Sequence, residues 1–348
     1  MRRFHFALLL LGVAFLGFLV WLAGPGELWR QLRELGWGLV PLILSEGVAN
    51  LLHAAGWRSC LGEARRRVRL RLLFRMSLAG YAINYLTPTA SLGGEVTKVA
   101  LLRGYSRSSQ AVSSVLLDKL SLAVAHLLLV LVGLAVVLWR VALPKALLGA
   151  MAASSALVVS GMAGFLLLQK HGKLGGLLRW LAAGRFGGAR LESLAQKVSS
   201  VDETLKAYYR ERPADLVRSV AWHGVGHSVN FFQVWLFLSR LQQPVEPAAV
   251  VTVTFLGLWF DLLTFALPSN IGGLEGSRVL AFKAVGLGLP VGMAFGVAVR
   301  LAQLSWAILG LGAYASLARG GSPRAVVART PFEPGWGEAS ADASGRRA

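Results

Sequence analysis

Apolar residues fall in blocks of about twenty, parted by short basic stretches, as in a chain that crosses ~30 Å of hydrocarbon several times. Phe4–Ala23 follows Arg2 and Arg3, is long, and lacks an A-x-A cleavage pattern, so it reads as a retained first span. Gly24–Gly36 reads as a short external connection, with Arg30 and Arg33 balanced by Glu27 and Glu34. A second span runs from about Trp37 to Trp57, with tryptophan at both ends as interfacial anchor. Arg58, Arg65, Arg66, Arg67, Arg69 and Arg71 follow, against Glu63 alone, which marks a cytoplasmic loop.

Leu72–Thr87 and a segment ending near Tyr105 are each about 15 residues, roughly 22 Å as helix, and so short for a crossing. They predict a helical hairpin that leaves by the cytoplasmic side it came from; a pair of tilted full spans is the other reading. Ala111–Trp139 and Leu147–Leu168 predict full spans. Residues 169–215 carry nine Lys or Arg against five Asp or Glu. Within them Leu191, Leu194, Val198, Val201, Leu205 and Tyr208 recur at three- and four-residue steps, an amphipathic helix ended by Pro213. Its stripe lasts under three heptads, which favours packing on the bilayer or the bundle over a coiled coil. Leu216–Leu241 predicts a span outward, Ala248–Leu267 with a segment to about Gly286 a second hairpin from the outside, and Pro290–Leu317 the last span. The tail 319–348, rich in Gly, Pro, Ala and Ser, has no apolar period and is expected to be disordered.

The expected fold is all-α: a polytopic bundle of about six full spans plus two re-entrant or broken hairpins forming an inverted repeat. The membrane domain is 1–318, with one half at about 37–168, the other at about 216–318 and the basic loop 169–215 between. Both termini are expected in the cytoplasm of a bacterial inner membrane. Were the first hairpin a loop on the outer face after a full third span, 169–215 would also lie outside, against the positive-inside rule.

Composition narrows the classes. Of 348 residues, 55% are hydrophobic and 15% charged, against about 45–50% and 25% in a soluble domain. The net charge of +19 does not imply nucleic acid, because the bases sit between apolar runs and no nucleic-acid module is visible; anionic headgroups are a better match. A single cysteine, Cys60, excludes an intramolecular disulfide and any cysteine-based zinc or iron–sulfur site. No P-loop, G-x-S-x-G, dinucleotide or kinase signature is present, and no cofactor is expected.

The chemistry concentrates at two stretches, Pro88-Thr-Ala-Ser-Leu-Gly-Gly-Glu-Val-Thr-Lys98 and Pro268-Ser-Asn-Ile-Gly-Gly-Leu-Glu-Gly-Ser-Arg278. In each, proline leads a glycine pair, an acid stands seven residues after the proline, and a base three residues after the acid. Such residues suit a broken helix inside protein or beside a water-filled cavity, and broken helices meet near the midplane in inverted-repeat transporters. Glu95 can pair with Lys98 on one turn, and Glu275 with Arg278. Lys98 and Arg278 are candidates to engage an anionic headgroup, with the backbone N–H groups after Gly93-Gly94 and Gly272-Gly273 adding partial positive charge; the competing reading is internal ion pairs that lock the hairpins. Asn84 and Asn270 are candidates to cap the breaks or bond across the bundle. Asp118 and Lys119 suit an interface, and Asp261 is matched with Arg300 across helices. His223, His227 and Asn230 share one face of a span. Without an intervening Glu, the histidines suit packing or proton relay better than metal, and no metal is expected. Asp118, His223, His227, Asp261 and Arg300 form the candidate relay set.

Asn84-x-x-x-Pro88…Gly93-Gly94-Glu95-x-x-Lys98 and Pro268-x-Asn270-x-Gly272-Gly273-x-Glu275 resemble the lysylphosphatidylglycerol synthase transmembrane region, or flippase-like membrane protein family, over roughly 5–318. Tyr81–Lys98 looks most like the branch found beside hopanoid biosynthesis genes. The resemblance implies a stand-alone, non-enzymatic translocase for an anionic phospholipid, a hopanoid or another lipid-linked headgroup, without the C-terminal synthase of two-part members. The alternative is a lipid-binding scaffold that recruits a biosynthetic enzyme through the basic loop. A lipid-headgroup enzyme with Glu95 or Glu275 as base ranks last, since no nucleophile or metal set accompanies the glutamates.

Overall fold

The computed structural model describes residues 24–86, 92–140, 145–171, 201–241, 245–264 and 272–319, with isolated positions besides. The first span, Pro88, Pro268, Asn270, most of the basic loop and the tail lie outside the described residues. Among those described the chain is all-α, without strand: α1 (Pro25–Leu35), α2 (Leu39–Ser59), α3 (Leu70–Leu86), α4 (Leu92–Leu102), α5 (Ser108–Arg140), α6 (Lys145–Lys170), a helical segment 201–211, α7 (Pro213–Arg240), α8 (Pro247–Thr264), α9 (Gly273–Ala284) and α10 (Leu289–Arg319). Pro25–Ser59, Ser108–Val137, Gly149–Lys170 and Leu289–Arg319 are long and apolar enough to cross a membrane. The 28 residues of α7 reach about 42 Å as helix; its lower apolarity comes from polar residues turned into the bundle.

Side-chain contacts fix the direction of each helix. On α2 and α7, Gly38 meets Arg240, Ser45 meets Gln233, His53 meets His223 and Cys60 meets Ser219, so the two run antiparallel. On α3 and α10, Arg75 bonds Ser316 and Tyr85 bonds Arg300, again antiparallel. His126 to Leu258 and Gly133 to Phe255 give the same relation for α5 and α8.

The two short helices fold back on their predecessors. α4 lies against α3, with Gly80 and Gly94 touching backbone to backbone. α9 lies against α8, with Gly257 giving room to the Arg278 guanidinium. With 11 and 12 residues, α4 and α9 reach only about 16 and 18 Å, too short for ~30 Å of hydrocarbon. α3 starts at the end of the bundle where α2 finishes, and α8 starts at the end where α7 finishes. The hairpins therefore enter from opposite ends, as the charge argument required. The halves also interlock: α10 packs on α3, α5 on α8, and α2 on α7.

Two apolar cores hold this arrangement. The larger joins α2, α5, α7, α8, α9 and α10 around Phe237, Phe282 and Phe295, whose ring centroids lie 5.1–6.1 Å apart. The smaller gathers Trp57, Leu73, Leu102, Leu117 and Leu205 at the end where α2 finishes. That end carries the arginines of 58–75 with Arg103, Arg107, Arg212, Arg218 and Arg319; Tyr208 donates there to the Ser59 carbonyl. At the other end Glu27 and Glu34 bond Arg30.

Two boundaries differ from expectation. Gly24–Gly36 is not a plain connection but mostly helix, since Pro25 suits the first turn and Leu28, Gln31 and Leu35 form a buried stripe. Pro213 opens α7 rather than only ending the preceding helix, so the second half starts there and not at Leu216. Proline lacks an N–H that the first turn does not need.

Candidate functional site

Each hairpin carries a charged cluster built on its short helix and the long helix that follows. In the first, Asn84 of α3 accepts a hydrogen bond from the Gly94 N–H at 2.6 Å, capping the α4 start. A Cβ on Gly94 would collide with the Gly80 carbonyl and the Asn84 amide, so only glycine lets the helices approach. Gly93 stands in the same turn. One turn on, Lys98 Nζ lies 3.3 Å from Glu95 Oε2 and 3.3 Å from Asp118 Oδ2. Lys119 reaches Glu95 Oε1 at 3.4 Å. Lys98 also lies 5.3 Å from the Trp57 ring centre, a cation–π arrangement.

In the second, Gly272 adopts φ 77°, which favours glycine, and precedes Gly273 at the start of α9. Its N–H donates to Glu275 Oε2 at 2.9 Å, the return half of a capping box. The same carboxylate takes a two-pronged grip from Arg300 of α10, Nε to Oε1 at 2.7 Å and Nη2 to Oε2 at 3.0 Å. Arg300 Nη1 donates to Tyr85 of α3 at 3.1 Å, which ties the second cluster to the first hairpin. Arg278 donates to Asp261 Oδ2 at 2.8 Å.

Glu95 and Lys98 thus pair as expected, whereas Glu275 and Arg278 do not. Arg300, eleven residues into α10, faces Glu275 as Lys119, eleven into α5, faces Glu95. Arg278 turns back along its own hairpin to the carboxylate of α8. The Asp261–Arg300 match fails for the same reason: Asp261 pairs with Arg278, and Arg300 with Glu275. Asp118 is not interfacial: it stands about 15 Å into α5, is 4% exposed, and bonds His223.

The structure adds residues that the motifs did not show. His223 Nε2 lies 3.1 Å from Asp118 Oδ1, and its Nδ1 lies 2.9 Å from His53 Nδ1. His227 stands edge-on to His53 and to His126, with centroids 5.0 and 4.9 Å apart. No group of His, Cys, Asp and Glu among the described residues has a metal-binding arrangement. Gln233 donates to Ser45 and Glu46, both at 3.2 Å. Asn230 and Thr254 line a cavity of about 10 Å³ beside Arg278, about room for one water. The signal for these was present: Glu46, Asn50 and His53 are i, i+4 and i+7 on α2, the same polar stripe as His223, His227 and Asn230 on α7.

The sequence profile of the Lysylphosphatidylglycerol synthase TM region matches residues 9–312. A UPF0104 membrane protein of Methanothermobacter thermautotrophicus is 26% identical over 317 residues, covering 88% of this chain and 92% of that protein. No solved structure matches. The matched span takes in both charged hairpins and every helix between them, and the chain belongs to the lysylphosphatidylglycerol synthase transmembrane-region family of multi-pass membrane proteins.

Proposed function

We propose that this protein is a translocase, not an enzyme, that carries the headgroup of an anionic phospholipid across the cytoplasmic membrane while the tails stay in lipid. The observation that carries the reading is the pair of charged, glycine-opened hairpins that approach from opposite ends of one bundle. Intramembrane ionisable residues are costly and mark substrate or ion pathways. Lys98 and Arg278 would meet the headgroup phosphate; Glu95 and Asp118 hold Lys98, and Asp261 holds Arg278, while the site is empty. A hopanoid substrate rests on the branch resemblance alone; the ion-pair chemistry favours a phosphate. The basic end would face the cytoplasm, by the positive-inside rule. In a bacterium that membrane is the inner one.

The test is headgroup accessibility in vesicles of phosphatidylglycerol and phosphatidylethanolamine with a trace of fluorescent phosphatidylglycerol. Wild-type protein is expected to expose inner-leaflet label to a membrane-impermeant quencher, and Lys98→Gln with Arg278→Gln to lose that effect. Well-folded wild-type protein that moves no label would end the reading in favour of a scaffold that binds lipid and recruits a biosynthetic enzyme.

A further inference from the structure

Four histidines stand in one row inside the bundle, and the row ends on the carboxylate that holds Lys98. His126 of α5 donates from Nε2 to the Leu258 carbonyl, so its Nε2 carries the ring proton. His227 lies edge-on between His126 and His53. His53 and His223 stack with centroids 5.2 Å apart and share a hydrogen bond through their Nδ1 atoms. His223 then reaches Asp118 Oδ1 through Nε2, and Asp118 Oδ2 reaches Lys98.

The helices are shaped for this row. A Cβ on Gly56 of α2 would sit 2.6 Å from His223 Nε2, and one on Gly226 of α7 would sit 2.7 Å from His53 Cε1. Each imidazole thus lies over a glycine of the opposite helix, three residues past the opposing histidine. His223 is 1% exposed, and both its nitrogens are bonded, which fixes the tautomers. With Asp118 ionised, a neutral His223 donates from Nε2 and accepts at Nδ1, so His53 carries its proton on Nδ1.

We propose that His53 and His223 deliver a proton to Asp118, and that this loading opens Lys98 to an anionic headgroup. The proposal rests on the translocase reading and supplies its coupling ion. A proton bonds His53 Nε2, the Nδ1 proton of His53 passes to His223 Nδ1, and the Nε2 proton of His223 passes to Asp118 Oδ1. One proton arrives, one is held by the carboxyl group, and both rings remain neutral with their tautomers exchanged. Ring rotation or the reverse hops restore the starting arrangement.

Charge counting gives the consequence. Lys98, Lys119, Glu95 and Asp118 sum to zero before loading, and to one positive charge after it. One phosphodiester anion restores neutrality, so one proton accompanies one headgroup. The groups facing His53 and His223 are Lys98 on α4, Asp118 and His126 on α5, and His227 on α7. No second carboxylate among these competes with Asp118 for the proton.

Vesicles of phosphatidylglycerol and phosphatidylethanolamine, loaded with pyranine, given an acid pulse outside and held at zero potential with potassium and valinomycin, read the proton movement directly. Wild-type protein is expected to carry protons faster than protein-free vesicles. The excess should vanish in His223→Gln and His53→Gln, on different helices, and return in Asp118→Glu but not Asp118→Asn. Each variant is checked for monodispersity. No excess in wild type, or an unchanged excess in folded His53→Gln, overturns the relay. Labelled phosphatidylglycerol that still moves in those vesicles would leave the translocase reading intact while ending this one.

Discussion

Replacing Glu275 by Gln keeps the shape of the α9 start but leaves the Arg300 guanidinium facing a neutral amide. Glu275 is 1% exposed and the Arg300 side chain 12%, so bulk water does little to screen the loss. Breaking a buried pair by removing one partner costs about 3–5 kcal/mol, mostly from the charge left behind. The Gly272 N–H keeps an acceptor in the amide oxygen, so the capping part of the loss stays small. Tyr85 offers Arg300 a neutral oxygen and cannot replace the carboxylate. Glu275→Gln and Arg300→Gln should therefore each cost about 3–5 kcal/mol, and the double variant less than the sum by about 2 kcal/mol or more. Detergent-driven unfolding in mixed micelles, followed by tryptophan fluorescence, gives all four corners of the cycle. Additive losses, or a single-variant loss below about 1 kcal/mol, would refute the buried pairing. The same cycle guards the transport assays, because a Glu275 variant that loses activity must be compared with its charge-balanced double.

Three further outcomes follow from particular contacts. Gly226→Ala should destabilise by about 1–3 kcal/mol by pushing the His53 ring, whereas Gly161→Ala, with nothing within 4 Å of the added carbon, should be neutral or slightly stabilising in the same unfolding assay. Asn84→Ala removes the cap on the Gly94 N–H and should cost about 0.5–2 kcal/mol, with faster hydrogen exchange confined to the start of α4 if the cap acts locally. In a Cys60→Ala background, Arg67→Cys and Glu246→Cys should react with an impermeant maleimide from opposite sides of sealed vesicles; labelling from one side would contradict the antiparallel arrangement of α2 and α7.

Much of this architecture was legible in the residues. Run lengths near twenty gave the spans, and arms too short to cross gave the hairpins. The paired Pro, Gly-Gly, acid and base spacings located both charged clusters before any contact was known. Asn84 proved to be a cap because its distance from Gly94 suits a helix that breaks and turns back. The partners of the charges were harder to read. Spacing of three suggests Glu275–Arg278, but Arg300 offers two aligned N–H groups to the same carboxylate, and that geometry exists only once α9 and α10 pack. The histidine row was obscured for a related reason. His53, His126 and His223 come from three helices, 73 and 97 residues apart along the chain, and no local pattern joins them. The polar stripe of Glu46, Asn50 and His53 was visible, but only its meeting with the stripe on α7 gives it chemistry.

The central claim is that the cations of the two hairpins receive an anionic headgroup, and its most direct test compares two labels in one vesicle composition. Fluorescent phosphatidylglycerol and fluorescent phosphatidylcholine are followed side by side with wild type, Lys98→Gln and Arg278→Gln. The account predicts faster movement of the anionic label in wild type, and a gap that closes in both variants. Equal rates for the two headgroups in wild type, or a gap that survives loss of both cations, would contradict it.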